Sequence, residues 1–326
     1  MRFVVYGPGA VGGAVGGRLA EHGHDVVLIA RGAHLAALES DGLRVASPDG
    51  DVTVDVAVAR SPADVEWTDG DVALLAVKSQ HTVEALEALA AVAPPTLPVC
   101  CLQNGVANER AALRRFENVY GICVMLPSGF FEPGVVLAYS SPVTGLLDIG
   151  RYPSGVDPIA ETVADAFGTS GFESVPRPDI MRWKHRKLLM NLGNAVEAAC
   201  GPAARFGELA ARIGAEADAV FEAAGIPLAS VEEDRQRRGD KLTIRPIEGA
   251  RWGGGSSWQS LARGAGTIEA DYLNGEIVLL GRLHGVPTPA NALIQRVANE
   301  LARRRAAPGG LTEDELLVRL GEPGDP

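Results

Sequence analysis

The stretch YGPGAVGGAVGGRLA, residues 6–20, limits the folds open to this chain more than any other segment. Gly7, Gly9 and Gly12 stand in a G-x-G-x-x-G spacing, preceded by the apolar run RFVVY (2–6) and followed by a helix-period segment from about Ala10. In that setting the first glycine permits a tight turn, the second lets backbone amides approach a pyrophosphate, and the third lets the helix pack on the strand. With 39 glycines in the chain, the spacing alone carries little weight. Its place between a strand, a helix and a second strand, DVVLIA (25–30), is what points to dinucleotide binding.

The rest of the first half keeps the same rhythm. Strand-length runs DVALLAV (71–77) and PVCCL (98–102) alternate with helices from about His81 and Val106. Their hydrophobicity is continuous rather than alternating, which predicts strands covered on both faces in a parallel, doubly wound sheet. NVYGICVML, VVLAYS and TGLLDIG, divided by Gly and Pro turns, suit antiparallel additions, and residues 156–171 form a last helix. Two prolines in VPRPDI (175–180) stop the pattern. The expected fold is therefore α/β: an N-terminal Rossmann domain over residues 1–176, then an all-helical domain over 177–326. Helices are expected at 180–200, 207–225, 229–238, 267–285 and 288–305, with one short helix with frayed ends in the tail from about 306.

A chain of 326 residues suits two cores. Its net charge of −11 argues against a nucleic-acid partner, since phosphate neutralisation needs clustered Lys and Arg. No segment reaches the ~20 apolar residues of a membrane span, and the start shows no secretory pattern. Cys100, Cys101, Cys123 and Cys200 have neither C-x-x-C nor His-rich spacing, so they are expected to be buried hydrophobes of a reducing cytoplasm, not metal ligands.

The second strand ends in Arg31, with no carboxylate until Glu39. A guanidinium there suits a 2'-phosphate through forked, charge-assisted contacts, which favours NADP(H) over NAD. In KHRKLLMNLGNA (184–195), Lys187, Asn191 and Asn194 fall at i, i+4 and i+7, placing an ammonium and two carboxamides on one face of an otherwise apolar helix. Asparagine is a poor helix former and is kept where its amide is used. Ser257 and, twelve residues on, Glu269 add a hydroxyl and a carboxylate. A lysine facing such groups is a candidate proton donor.

The glycine loop, Arg31, AVKSQ, QNG, the K-x-x-x-N helix and TIEADYLNG occur in an order and spacing that resembles the ketopantoate reductase (2-dehydropantoate 2-reductase) family over residues 1 to about 290. The resemblance implies a Rossmann domain followed by a helical one and reduction of ketopantoate, a 2-oxo acid, with NADPH on the route to coenzyme A. It implies that Gly7, Pro8, Gly9, Ala10, Val11 and Gly12 frame the pyrophosphate and that Arg31 takes the 2'-phosphate. Lys78 would stand near the nicotinamide, and Asn104 would touch cofactor and substrate. Lys187 would be the general acid, Asn191 and Ser257 substrate ligands, and Glu269 the carboxylate that engages both cofactor and lysine. Related enzymes suggest a homodimer or a monomer.

Two positions depart from the family pattern. The second asparagine is expected four residues after the first, at Ala195, whereas Asn194 comes one residue early; Gly254 stands where an asparagine commonly precedes the serine by three. Trp252 and Trp258 would either offer an apolar wall instead or pack as buried structural side chains. Another branched or aromatic 2-oxo acid or ketone is therefore an alternative substrate. Arg31 speaks against the beta-hydroxyacid dehydrogenases, and a silent NADPH-binding module is the reading outside enzymology.

Overall fold

The computed structural model of the chain describes residues 1–250 and 253–321. It divides into two compact units, Met1–Lys184 with Ala229–Trp252, and His185–Leu228 with Gly253–Pro326. In the first unit the order is β1 (Arg2–Tyr6), α1 (Ala10–Glu21), β2 (Asp25–Ile29), α2 (Gly32–Asp41), β3 (Leu43–Ala46), β4 (Val52–Val54), β5 (Ala57–Ala59), β6 (Asp71–Leu75) and α3 (Thr82–Ala90). Then come β7 (Val99–Cys101), α4 (Asn108–Leu113), β8 (Val119–Met125), β9 (Ser128–Glu132), β10 (Val135–Ala138), β11 (Ser140–Pro142), β12 (Leu146–Arg151) and α5 (Pro158–Thr169).

Seven strands form the main sheet in the order β12-β8-β7-β6-β1-β2-β5. All neighbours are parallel except β12, which runs antiparallel to β8. This is the Rossmann arrangement expected from the sequence, except that NVYGICVML, expected as an antiparallel addition, extends the parallel sheet as β8 beside β7. Every residue of β6 and β8 is buried, which is why those strands show no alternation. The winding reverses at β1, between β2 and β6, so the loops after β1 and β6 open the crevice where doubly wound sheets take ligands.

VVLAYS belongs to a different sheet, β4-β3-β10-β9, which no local pattern announces. Helix α1 lies between the two sheets. On the main-sheet side a Cβ at Gly12 would fall 2.7 Å from Ala76 Cβ, and one at Gly16 would fall 2.8 Å from Leu28 Cδ2. On the other side a Cβ at Gly13 would fall 2.6 Å from Val136 Cγ1, and Gly17 faces Val45 as closely. A glycine inside a helix costs about 0.5–1 kcal/mol against alanine. Here it is required, because neither face has room for a side chain.

The second unit is helical throughout its described residues. It holds the later turns of α6 (Ile180–Asn191), then α7 (Gly193–Cys200), α8 (Glu208–Ala224), and, after α9 (Val231–Arg238) and β13 (Leu242–Ile244), α10 (Ser256–Ala262), α11 (Asn274–His284), α12 (Pro289–Arg303) and α13 (Glu313–Gly321). Leu209, Ile213, Val220, Ile277 and Ile294 are among its buried side chains. The Glu216 carboxylate accepts from the backbone N–H groups of Ala290 (2.8 Å) and Asn291 (2.9 Å), an anion at the positive end of α12. Among the described residues no helix is long and apolar enough to cross a membrane.

Helix α9 and strand β13, which the sequence places in the helical half, belong to the first unit. The buried Arg237 guanidinium meets Asp148 at 2.6 Å and Glu173 at 2.9 Å, β13 pairs with β11, and Ile247 packs with Ala46, Leu137 and Tyr139. These partners lie far off in sequence, so nothing near residue 237 signals them.

The two-faced packing of α1 gives a stability test. Gly13→Ala is expected to cost about 1–3 kcal/mol, by overpacking against Val136 and the Pro8 carbonyl. Gly168→Ala in α5, where a Cβ meets nothing within 4 Å, is expected to stabilise by about 0.4–1 kcal/mol. Urea unfolding midpoints at constant m-value check both.

Candidate active site

In the first unit the site begins at the turn after β1. Gly7 has φ +95°, and a Cβ there would lie 2.8 Å from Val77 Cγ1, so only glycine fits. Gly9 caps α1 in an extended conformation, and a Cβ on it would meet nothing within 4 Å. The first bond into the helix runs from Gly13 N to Gly9 O (2.7 Å), which leaves the N–H groups of Ala10, Val11 and Gly12 without an intrahelical acceptor. No side chain caps this end and no acid occupies its first turn. The uncancelled positive end, reached over an open glycine, fits the pyrophosphate of a dinucleotide.

Arg31 follows β2 and caps α2. Its exposed guanidinium meets Glu84 Oε1 at 3.2 Å through Nη1 and donates to the Tyr6 hydroxyl at 3.2 Å through Nη2. Glu84, on the first turn of α3, is absent from the sequence reading because fifty-three residues separate the partners.

Lys78 caps a 3-10 turn, Ser79–His81, after β6, and Asn104 lies in the loop after β7. A buried polar network ties these loops together. Gln103 Nε2 donates to Val77 O (2.6 Å) and Thr82 Oγ1 (2.8 Å), Thr82 donates to Asn108 Oδ1 (2.8 Å), and Asn108 Nδ2 donates to Asn104 O (3.1 Å). Lys184, 3 % exposed, anchors the same region: its ammonium pairs with Glu109 at 2.7 Å and donates to Gln103 O (2.9 Å) and Ile122 O (3.0 Å). A buried ion pair of this kind survives only with its remaining donors satisfied, as here. Neither Lys184 nor Glu109 carries a local signature of the role.

His34 is a further residue the sequence reading missed. Gly134 N–H donates to its Nδ1 (2.9 Å), so the neutral ring carries its proton on Nε2, which donates to Pro8 O (2.8 Å). The imidazole thus links the glycine loop to the β9–β10 turn. Burial holds its pKa below the ordinary value, against the opposing pull of the Pro8 carbonyl.

The second unit carries the other expected residues. Lys187 is half-buried on α6, and Asn191, Asn194, Ser257 and Glu269 are buried. The expected helix 180–200 is interrupted at Leu192, which keeps helical angles (φ −61°, ψ −33°); beside it Arg205 Nη2 reaches Met190 O (3.3 Å) and Asn274 Nδ2 reaches Leu192 O (3.2 Å). Asn194 lies in the first turn of α7, three residues past Asn191. Its Nδ2 approaches Ser256 Oγ at 3.5 Å, which brings it beside the start of α10, where Ser257 sits. Glu269 opens a 3-10 turn, Glu269–Tyr272, rather than standing within a helix.

Asn194 Oδ1 and Ser257 Oγ are buried with no hydrogen-bond partner among the described residues. Such orphaned atoms mark a place where a ligand or water completes the bonding. A side chain at position 254 would be crowded: φ is +78°, and a Cβ would fall 2.9 Å from Trp258 Cγ and 3.0 Å from Glu197 Oε1. Glu197 instead accepts from Arg205 Nη1 (2.5 Å) and Gly255 N (3.2 Å). Trp252 lies outside the described residues. The four cysteines are free thiols, three of them buried, and no group of three or more His, Cys, Asp or Glu could hold a metal among the described residues.

The clamp by His34 predicts a pH effect. Its pKa is lowered on folding, so below about pH 6.5 the unfolded chain binds the extra proton first and the clamp's contribution is lost as pH falls. His34→Gln is expected to cost about 1–2 kcal/mol at pH 7.5, with the gap from wild type narrowing toward pH 5.5. Thermal melts across that range measure it.

Known proteins show the same organisation. The family model described as ketopantoate reductase PanE/ApbA matches residues 3–153, and that of its C-terminal part matches residues 179–302. The 2-dehydropantoate 2-reductase of Halobacterium salinarum is 33% identical over 307 residues, covering 89% of this chain and 95% of its own. The crystal structure of a PanE/ApbA family ketopantoate reductase from Ralstonia eutropha superposes with a TM-score of 0.78 at 28% identity, over 94% of this chain and 99% of that one. D-mandelate dehydrogenase with NADH and anilino(oxo)acetate also reaches 0.78, over the same shares of the two chains, but at 22% identity it shows the fold alone. Sequence and architecture agree across both units, and the chain belongs to the ketopantoate reductase PanE/ApbA family.

Proposed function

We propose that this chain reduces a 2-oxo acid with NADPH, and that the substrate is 2-dehydropantoate, converted to pantoate on the cytoplasmic route to coenzyme A. The observation that carries the reading is the uncapped, acid-free start of α1 behind Gly9, with Arg31 at the end of the neighbouring strand to meet a 2'-phosphate. Bound NADPH supplies a hydride to the ketone carbon. The carbonyl electron pair then moves to oxygen, and the Lys187 ammonium stabilises that oxygen and transfers a proton to it from Nζ. Asn191, Asn194 and Ser257 orient the 2-oxo acid, and the orphaned oxygens of Asn194 and Ser257 are consistent with that role. Asn104 and Lys78 line the cofactor side, and Glu269 engages both cofactor and lysine. A homodimer is part of the same reading.

A second reading, another 2-oxo acid, is favoured by the Gly254 segment. Gly254 lacks the amide that would read the hydroxyl end of ketopantoate, and a Cβ there would lie against Trp258. An apolar wall selects a bulkier, less polar substrate.

Lys187→Ala is expected to lower kcat about 10²–10⁴-fold while leaving NADPH affinity unchanged. Unaltered turnover would sink the general-acid assignment. Steady-state rates on ketopantoate beside a panel of branched and aromatic 2-oxo acids rank the two substrate readings by kcat/KM.

A further inference from the structure

The sequence argument for NADPH rests on the missing acid at the end of β2. In three dimensions an acid is present there all the same, delivered by α3: Glu84 Oε1 lies 3.2 Å from Arg31 Nη1. The guanidinium is held on two sides, because Nη2 is bonded to the Tyr6 hydroxyl at 3.2 Å. Tyr6 immediately precedes Gly7 and is only 4 % exposed, so it is a fixed post beside the glycine loop. Glu84 and Arg31 have side chains 68% and 62% exposed, so their pairing is weak and readily exchanged.

We propose that Glu84 is a cofactor-selectivity residue: its carboxylate competes with the 2'-phosphate for Arg31 and accepts from the 2'-hydroxyl of an unphosphorylated ribose. The inference rests on the reading that Arg31 meets the 2' position of the adenosine. A 2'-phosphate uses the guanidinium as a fork, and Nη1 must leave Glu84 to complete it. The displaced carboxylate then stays near a dianion and repels it, by an amount that falls with ionic strength. With an unphosphorylated ribose the pair stays intact. Glu84 accepts a hydrogen bond from the hydroxyl as strand-end acids do in NAD-specific sites, and Arg31 offsets its charge. The adenosine end therefore accepts both cofactors and discriminates weakly between them.

Isothermal titration of the full-length protein with NADPH and NADH tests this, using Glu84→Gln, Arg31→Ala and the double variant at low and high salt. Glu84→Gln is expected to tighten NADPH about three- to tenfold at low salt, less at high salt, and to weaken NADH about threefold. Arg31→Ala is expected to weaken NADPH at least tenfold, and in its background the Glu84 effect on NADPH is expected to disappear. If Arg31→Ala weakens NADPH but Glu84→Gln leaves the NADPH-to-NADH ratio unchanged, the Glu84 proposal is overturned and the cofactor reading stands. If Arg31→Ala leaves NADPH unaffected, the assignment of Arg31 itself fails. A Glu84 effect equal on both cofactors, or one persisting without Arg31, also overturns the proposal.

Discussion

The architecture of the first unit depends on a helix thin enough to lie between two sheets. Helix α1 spends four glycines on that requirement, Gly12 and Gly16 toward the main sheet and Gly13 and Gly17 toward the smaller one. The cost in helix propensity is offset by burial on both faces, where Ala14, Val15 and Leu19 enter one apolar cluster with residues from both sheets. Because both flanks are in contact, the helix has no freedom to slide or rotate. Its N-terminus, with its uncapped N–H groups, is therefore held beside the end of β1.

Around that start, polar groups in place of apolar packing hold the loops in register. The carboxamide of Gln103, the hydroxyl of Thr82 and the carboxamide of Asn108 join the turns after β6 and β7, and His34 ties the Pro8 carbonyl to the β9–β10 turn. Hydrogen bonds are directional where apolar contacts are not, so this choice sets loop geometry closely. The Lys184–Glu109 pair follows the same logic at higher cost, since neither charge is solvated. Four of these contacts end on backbone carbonyls of loops that follow strands, at Pro8, Val77, Gln103 and Asn104, where small displacements would matter most to a bound ligand.

Charge is used differently in the two units. Near the crevice of the first, Arg31 and Glu84 remain exposed and exchangeable. In the second, Glu197 and Arg205 are drawn in against Gly255, and Arg205 also reaches Met190 O beside the interruption at Leu192. An asparagine at 194, one residue from the family's usual spacing, still ends up beside Ser256 at the start of α10.

The sequence by itself determined the Rossmann order, the glycine turn, the helical character of the second half and the residue types of the candidate site. Each is written in patterns a few residues long, in strand burial, turn chemistry or helical spacing. Four features were settled only by tertiary structure. These are the second sheet, the return of α9 and β13 to the first unit, the end of one helix at Leu192, and the carboxylate of Glu84 against Arg31. All but the third arise from pairings between segments distant in the chain, and a buried guanidinium or a crossing carboxylate leaves no trace in the residues that flank it.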